Sequence, residues 1–282
     1  MATGPVKVVL IFGIGVLAIG VGIWGMLCSL FPLPPRSSRV LYCERTYYYL
    51  QRFALRGGEK IYMPNEQPLK IYLLAAEIVP FAKAGGMADV VGALPKALKA
   101  LGHDVRLVMP HYSQVKPERF NLQTALEAVP VPMGAYQEPV RVLQGTIGED
   151  IPVYFIDAPR YFERENIYGY TDDGERFILF CRAALETVRA LGWTPDVIHC
   201  NDWQTGIVPN WMHTVYHDDP FFASSATVYT IHNLAYQGIF GRRILEVAGV
   251  SASGFLYPQI VELANVVDIM GRGILFADAV TT

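Results

Sequence analysis

The sequence predicts an α/β protein: a mainly parallel sheet covered by helices, preceded by an N-terminal transmembrane helix. Three observations carry that expectation. From Leu69 onward, short apolar runs alternate with amphipathic helical stretches, the pattern of strands and helices layered into one covered sheet. Polar residues capable of chemistry cluster just after several of the apolar runs, where ligands meet parallel sheets. Ahead of all this, residues 8–31 carry no charge and are long enough to cross a bilayer as a helix.

Residues 1–7 form a short tail. The apolar run is longer than the core of a secretory signal and lacks its small-residue cleavage site. Leu27, just before Cys28, is unsuited to a lipidation site. Lys7 precedes the run, and Arg36, Arg39 and Arg45 follow it. That bias predicts a cytoplasmic globular part anchored to the inner membrane. Gly20, Gly22 and Gly25 match GxGxxG, but no strand–turn–helix unit surrounds them, so a dinucleotide site is excluded. Pro32, Pro34 and Pro35 end the helix. In the linker, residues 32–68, arginines alternate with Tyr42, Tyr47, Tyr48, Tyr49 and Phe53, which fits either a headgroup-level anchor or a tether.

The domain proper runs from 69 to 282. Strands are expected at Lys70–Leu74, Val105–Met109, Val140–Gln144, Val153–Ile156, Val197–Cys200, Thr227–Thr230 and Ala279–Thr281. Helices are expected at Ala88–Leu101, Glu175–Leu191, Gly206–Tyr216 and near Glu262–Leu275. The formal net charge of −3 is unevenly spread: the first sixty residues are net positive, so the domain is distinctly acidic. An acidic domain lacks the basic footprint of a nucleic-acid binder, and no nucleic-acid partner is expected. Four cysteines, Cys28, Cys43, Cys181 and Cys200, form no CxxC pair and read as reduced thiols. His213 and His217, at i,i+4 before Asp218 and Asp219, could hold a metal or simply be a solvated polar helix end.

Three stretches carry candidate chemistry. After the first strand come Glu77 and then Lys83-Ala84-Gly85-Gly86, followed by an apolar-periodic helix. Glycines there let backbone approach a ligand closely, and helix-start amides with a lysine suit an anion. Alone, such a turn is equally an ordinary connection. Strand Val197–Cys200 is followed by Asn201-Asp202-Trp203-Gln204, and strand Thr227–Thr230 by His232 through Gly238. Each of these loops could be plain capping chemistry. Together they would line one cleft with Lys, Asp, Trp, His, Asn and Tyr, a set suited to sugar hydroxyls.

The residues Lys83-Ala84-Gly85-Gly86-Met87-Ala88-Asp89-Val90-Val91-Gly92-Ala93-Leu94-Pro95, the Asp196–Gly206 segment and Thr230-Ile231-His232-Asn233-Leu234-Ala235-Tyr236-Gln237-Gly238 resemble bacterial glycogen synthases and plant starch synthases. Tyr170-Thr171-Asp172-Asp173, Arg176-Phe177 and Gly273 through Asp278 add to the likeness, which runs from about Leu69 to the end. The resemblance implies the Rossmann-like N-terminal half of a two-domain (GT-B) glycosyltransferase. It implies glucosyl transfer from ADP-glucose, or UDP-glucose, to the non-reducing end of an α-1,4-glucan, with retention and without cofactor or metal. By the same resemblance, His232 and Asp202 are the catalytic candidates. Lys83, Gly85, Gly86 and Asp89 fall on the donor side, and Asn233, Tyr236 and Gln237 on the substrate loop.

Two departures from the family pattern stand out. Asn201 and Gln204 flank Asp202-Trp203 where histidines are frequent, and Met270-Gly271-Arg272-Gly273 replaces a lysine-containing sequence. The resemblance also implies a partner, a C-terminal GT-B domain that these residues do not include. Residues 1–282 alone are therefore expected to have negligible synthase activity. The alternatives are a non-catalytic glucan-binding or partner half-domain and, further off, a different GT-B sugar transferase.

Overall fold

The structure, a computed structural model, describes residues 67–250 and 266–282. The expected membrane helix and linker lie outside the described residues. Among the described residues, no helix is long and apolar enough to cross a membrane.

Eight strands form one sheet. In chain order they are β1 (Lys70–Leu74), β2 (Asp104–Pro110), β3 (Gln123–Met133), β4 (Tyr136–Ile147), β5 (Ile151–Asp157), β6 (Val197–Asn201), β7 (Ala226–Thr230) and, after a separate two-stranded ribbon of β8 (Ile239–Gly241) and β9 (Val266–Asp268), β10 (Ala279–Thr281). Their spatial order is β10-β7-β6-β1-β2-β5-β4-β3. The first six in that order pair in parallel, and β4 and β3 continue the sheet antiparallel.

Neighbouring side chains on a strand point to opposite faces. Ile71, Tyr72, Leu73 and Leu74 are all fully buried, so β1 is covered on both sides. All five residues of β6 and of β7 are buried too. That double burial explains why these strands read as unbroken apolar runs rather than alternating ones.

The main covering helices are α1 (Met87–Ala100) and, beyond the one-turn pieces α2 (Pro117–Phe120) and α3 (Pro159–Phe162), α4 (Asp173–Ala190). A 3-10 turn (Trp203–Thr205) leads into α5 (Ile207–His213), and α6 (Arg243–Val247) and α7 (Ile269–Phe276) complete the set among the described residues.

Besides short elements that the pattern does not announce (α2, α3, α6 and the β8–β9 ribbon), the structure departs from the expected elements at β3 and at two helices. Strand β3 was not expected, because Pro130 and Pro132 interrupt its pattern; as the sheet's edge strand it tolerates residues that cannot donate to a ladder. The helix expected from Gly206 to Tyr216 is only Ile207–His213: it starts where expected but stops three residues early, because Thr214 leaves helical backbone at φ −126° and ψ −81°. Of the helix expected at Glu262–Leu275, the described part begins at Ile269, because Asp268 ends strand β9 and caps α7 by accepting from the Gly271 amide at 2.9 Å.

Strands β1, β6 and β7 are consecutive neighbours, all parallel. Their carboxyl ends therefore open on one edge, and the three loops picked out in the sequence emerge there side by side.

Candidate active site

Two buried carboxylates organise this edge in the same way. Glu77, 3% exposed, lies beyond the end of β1. Its Oε2 accepts from the Ala84 amide and, at 2.8 Å, from the Gly85 amide, while its Oε1 accepts from the Tyr168 hydroxyl at 2.6 Å. Asp202, 7% exposed, follows β6. Its Oδ1 accepts from the His232 amide at 2.6 Å and the Asn233 amide at 3.2 Å. Each carboxylate thus pins a loop through two successive N–H groups, a concave amide nest closed by an internal anion.

Their remaining oxygens differ. Both oxygens of Glu77 are engaged, whereas Asp202 Oδ2 has no protein partner among the described residues. Burial raises the Asp202 carboxyl above its usual value, opposed by the His232 and Asn233 amides and the His232 ring, and reinforced by the Glu77 charge. Asp202 also holds φ of 54° and ψ of −176°, backbone that only glycine adopts without strain. That twist lets its side chain turn under the neighbouring loop instead of capping its own helix.

The imidazole of His232 is tied to the adjacent strand end. Its Nε2 lies 2.9 Å from Asn201 Oδ1, and Asn201 Nδ2 donates to the Leu74 carbonyl at 3.0 Å and the His199 carbonyl at 3.4 Å. One asparagine therefore couples the ends of β1, β6 and β7. Burial holds the His232 ring below its usual pKa, with the Asp202 and Glu77 charges pulling the other way. Beneath it, His199 is pushed down to about 3 by burial and by His232, and meets the Thr230 hydroxyl at 2.7 Å.

The donor-side residues are open. Lys83 Nζ pairs with Asp89 at 2.7 Å, both side chains about half exposed. No side chain caps the start of α1 at Gly86. A Cβ on Gly85 or Gly86 would meet nothing within 4 Å, and Gly86 has an ordinary φ of −71°. The protein's own packing does not demand glycine at either position.

In the His232 loop, Asn233 Oδ1 accepts from the Ala235 amide at 2.9 Å, an Asx turn. Gln237 braces the loop, its side chain donating to the Leu234 carbonyl and its own carbonyl accepting from Met270 at 3.0 Å. Tyr236 projects with 68% of its surface exposed. Trp203 does not lie open to a ligand. Its ring packs against Phe177 at 5.3 Å and Phe240 at 5.4 Å, under Gly238, where any Cβ would come within 2.5 Å of the indole.

The sequence reading named Glu77 without giving it a role, and missed Tyr168. A lone acid within Ala75-Ala76-Glu77-Ile78-Val79 is a detectable signal, since an acid there needs buried partners. Tyr168, 91 positions from Glu77, carries no such mark. The possible metal cluster near α5 does not assemble: His213 Nε2 faces the Phe276 carbonyl at 3.0 Å, and Asp219 pairs with Arg189. Among the described residues, no three His, Cys, Asp or Glu side chains converge in a metal-binding group.

A family model described as the starch synthase catalytic domain matches residues 70–282. The glycogen synthase of Moorella thermoacetica is 47% identical over 218 residues, covering 77% of this chain and 44% of that protein. That of Desulforudis audaxviator is 42% identical over 230 residues, covering 77% and 45%. The catalytic domain of Starch Synthase IV from Arabidopsis thaliana, solved bound to ADP and acarbose, matches with a TM-score of 0.71 at 34% identity, covering 77% of this chain and 45% of that one. Fold and relatives together define a Rossmann-like domain of the GT-B-like type. The chain belongs to the starch synthase catalytic domain family, alongside the bacterial glycogen synthases. It spans less than half the length of these relatives.

Proposed function

We propose that this domain forms one wall of a cleft in which glucose passes from ADP-glucose, or UDP-glucose, to the non-reducing end of an α-1,4-glucan, with retention and without a metal. The observation that carries this reading is the glycine pair. Gly85 and Gly86 have open space where side chains would go and no packing reason to be glycine, beside a lysine and an uncapped helix start. A ligand approaching the backbone supplies the missing reason. Because Glu77 already engages the Ala84 and Gly85 amides, the groups offered to the departing diphosphate are Lys83 and the amides from Gly86 onward. Positive charge there stabilises the anion that builds as the nucleoside diphosphate leaves. Asp89 holds Lys83 until phosphate replaces it. Asp202 and His232, with the Asn233–Gln237 loop, then face the glucose and acceptor.

The relatives' greater length supports reading transfer as a property of this domain together with the remaining part of such an enzyme. The test measures transfer of labelled glucose from each sugar nucleotide to glycogen. It uses the 282-residue chain alone and combined with the carboxyl-terminal part of the Moorella thermoacetica relative. Elongation in the combined sample, reduced on the order of a hundredfold by Lys83→Ala, is expected. Glycogen retention without transfer in either sample would favour a glucan-holding half-domain instead. The run 8–31 is proposed to anchor the domain on the cytoplasmic face of the membrane. Release of the full chain from membranes by alkaline carbonate would rule that out.

A further inference from the structure

We propose that Asn201 is a positioning residue that fixes His232 as its Nε2–H tautomer, so that this end of the cleft offers two hydrogen-bond acceptors, His232 Nδ1 and Asp202 Oδ2, to ligand hydroxyls and turns phosphate away. The argument starts from the asparagine, which is only 1% exposed. Its Nδ2 faces two backbone carbonyls, those of Leu74 and His199, which can only accept. A reversed amide would set Oδ1 against both of those oxygens. The orientation is therefore determined, and Oδ1 is the atom that meets His232 Nε2 at 2.9 Å. A carbonyl oxygen cannot donate, so the hydrogen of that bond belongs to Nε2.

Burial disfavours the charged ring. A neutral imidazole protonated at Nε2 carries a lone pair at Nδ1. Nδ1 has no partner among the described residues and is absent from the buried unpaired atoms, so it keeps access to solvent. The ring's backbone amide is held by Asp202 Oδ1, which places the second unpartnered acceptor, Asp202 Oδ2, on the same short loop junction. Two acceptors on one loop junction match the hydroxyls of a sugar. A phosphate, itself rich in acceptors and negatively charged, is repelled by a lone pair and a carboxylate there. The donor-rich turn at Lys83 and Gly86, by contrast, suits it. The two ends of the cleft thus sort a sugar nucleotide by chemistry, sugar toward His232 and phosphate toward Lys83.

The ligand's identity rests on the proposed function; the tautomer does not. The experiment is a long-range proton–nitrogen NMR correlation on the full 15N-labelled chain near neutral pH, with His232 assigned by its loss in His232→Gln. The expected result is a single neutral ring with pyrrole-type Nε2 and pyridine-type Nδ1. In Asn201→Leu, which removes the acceptor, the Nε2–H signal should shift and a mixed tautomer population appear. In Asn201→Asp, which restores an acceptor, the Nε2–H form should persist and the ring's titration move to higher pH. A wild-type ring protonated at Nδ1, a charged ring at neutral pH, or unchanged signals in folded Asn201→Leu would overturn the assignment. The ligand arm adds maltoheptaose or inorganic phosphate to the wild-type chain. Displacement of the Nδ1 signal by the sugar and not by phosphate is expected. Displacement by phosphate would overturn the acceptor pair, whereas the expected tautomer with no response to the sugar would count against the proposed function alone.

Discussion

Glu77 and Asp202 perform the same mechanical task on neighbouring loops, yet they leave the cleft with opposite chemistry. Each is a buried carboxylate beyond a parallel strand, and each accepts two consecutive amides from a loop that follows. Tyr168 engages the second oxygen of Glu77, so that carboxylate is consumed by the fold. Asp202 keeps Oδ2 unpartnered among the described residues and holds strained backbone. A structural carboxylate is finished with its partners. One that also meets a ligand retains an oxygen the protein has not satisfied, and strain concentrates there.

The largest effect expected from breaking this pair is at Asp202. Asp202→Ala strips the acceptor from two loop amides and should lower folding stability by about 3 kcal/mol, read as the midpoint shift in urea unfolding. Asp202→Asn keeps Oδ1 and should cost less than about 1 kcal/mol, while removing the open carboxylate oxygen and with it transfer in the assembled enzyme. Asp202→Gly should recover about 1 kcal/mol relative to Ala, because glycine relieves the positive φ. Equal stability of the Ala and Asn variants would show that the loop does not hang on this side chain. Glu77→Ala comes next, with an expected loss of about 2 kcal/mol, and Glu77→Gln should largely restore it because its oxygen still accepts both amides. If Glu77→Gln abolished transfer while folding normally, Glu77 would belong with Asp202 rather than opposite it.

Much of this edge was legible in the sequence, and the reasons divide cleanly. Strands β1, β6 and β7 announce themselves because burial on both faces makes them unbroken apolar runs, and polar residues suited to chemistry follow each of them. Their adjacency follows from the resemblance and from the way parallel sheets gather loops at one end. Strand β3 was hidden because an edge strand accepts Pro130 and Pro132, which look like loop residues. The role of Trp203 reads differently in three dimensions. An indole in a polar loop looks like a sugar platform until Phe177, Phe240 and Gly238 are seen packed around it. Tyr168 could not be read at all, since its partner lies 91 positions away and no local pattern links them.

Protonation separates the two carboxylate-held loops from the histidines beneath them. His199, pushed from 6.5 to about 3, stays neutral in the folded state while the unfolded chain takes up a proton. Its contribution to stability is therefore complete above about pH 6.5 and is lost as pH falls toward 3, at about 1 kcal/mol per pH unit. His232, also lowered, adds in the same direction. Asp202, raised above 3.8, works the opposite way: stability falls as pH rises from 3.8 to its folded value, because the unfolded carboxyl ionises first. Urea midpoints measured from pH 7.5 down to pH 4.5 should decline, and His199→Gln should flatten the decline. A slope unchanged by that variant would place the acid sensitivity elsewhere.

The smallest stability effects are expected on the donor side, and they are where the contrast between the loops becomes sharpest. Gly85→Ala and Gly86→Ala each add a methyl group to open space and should change stability by less than about 0.5 kcal/mol. Lys83→Ala breaks only a half-exposed ion pair with Asp89 and should likewise stay within about 0.5 kcal/mol. Under the proposed function, all three should nevertheless weaken sugar-nucleotide use in the assembled enzyme, Lys83→Ala most. Variants that leave folding untouched and remove function mark groups the fold does not need, the reverse of Glu77→Ala. A donor KM and kcat unchanged in Gly86→Ala would mean that no phosphate approaches this backbone. The glycine pair would then be only a connection between β1 and α1.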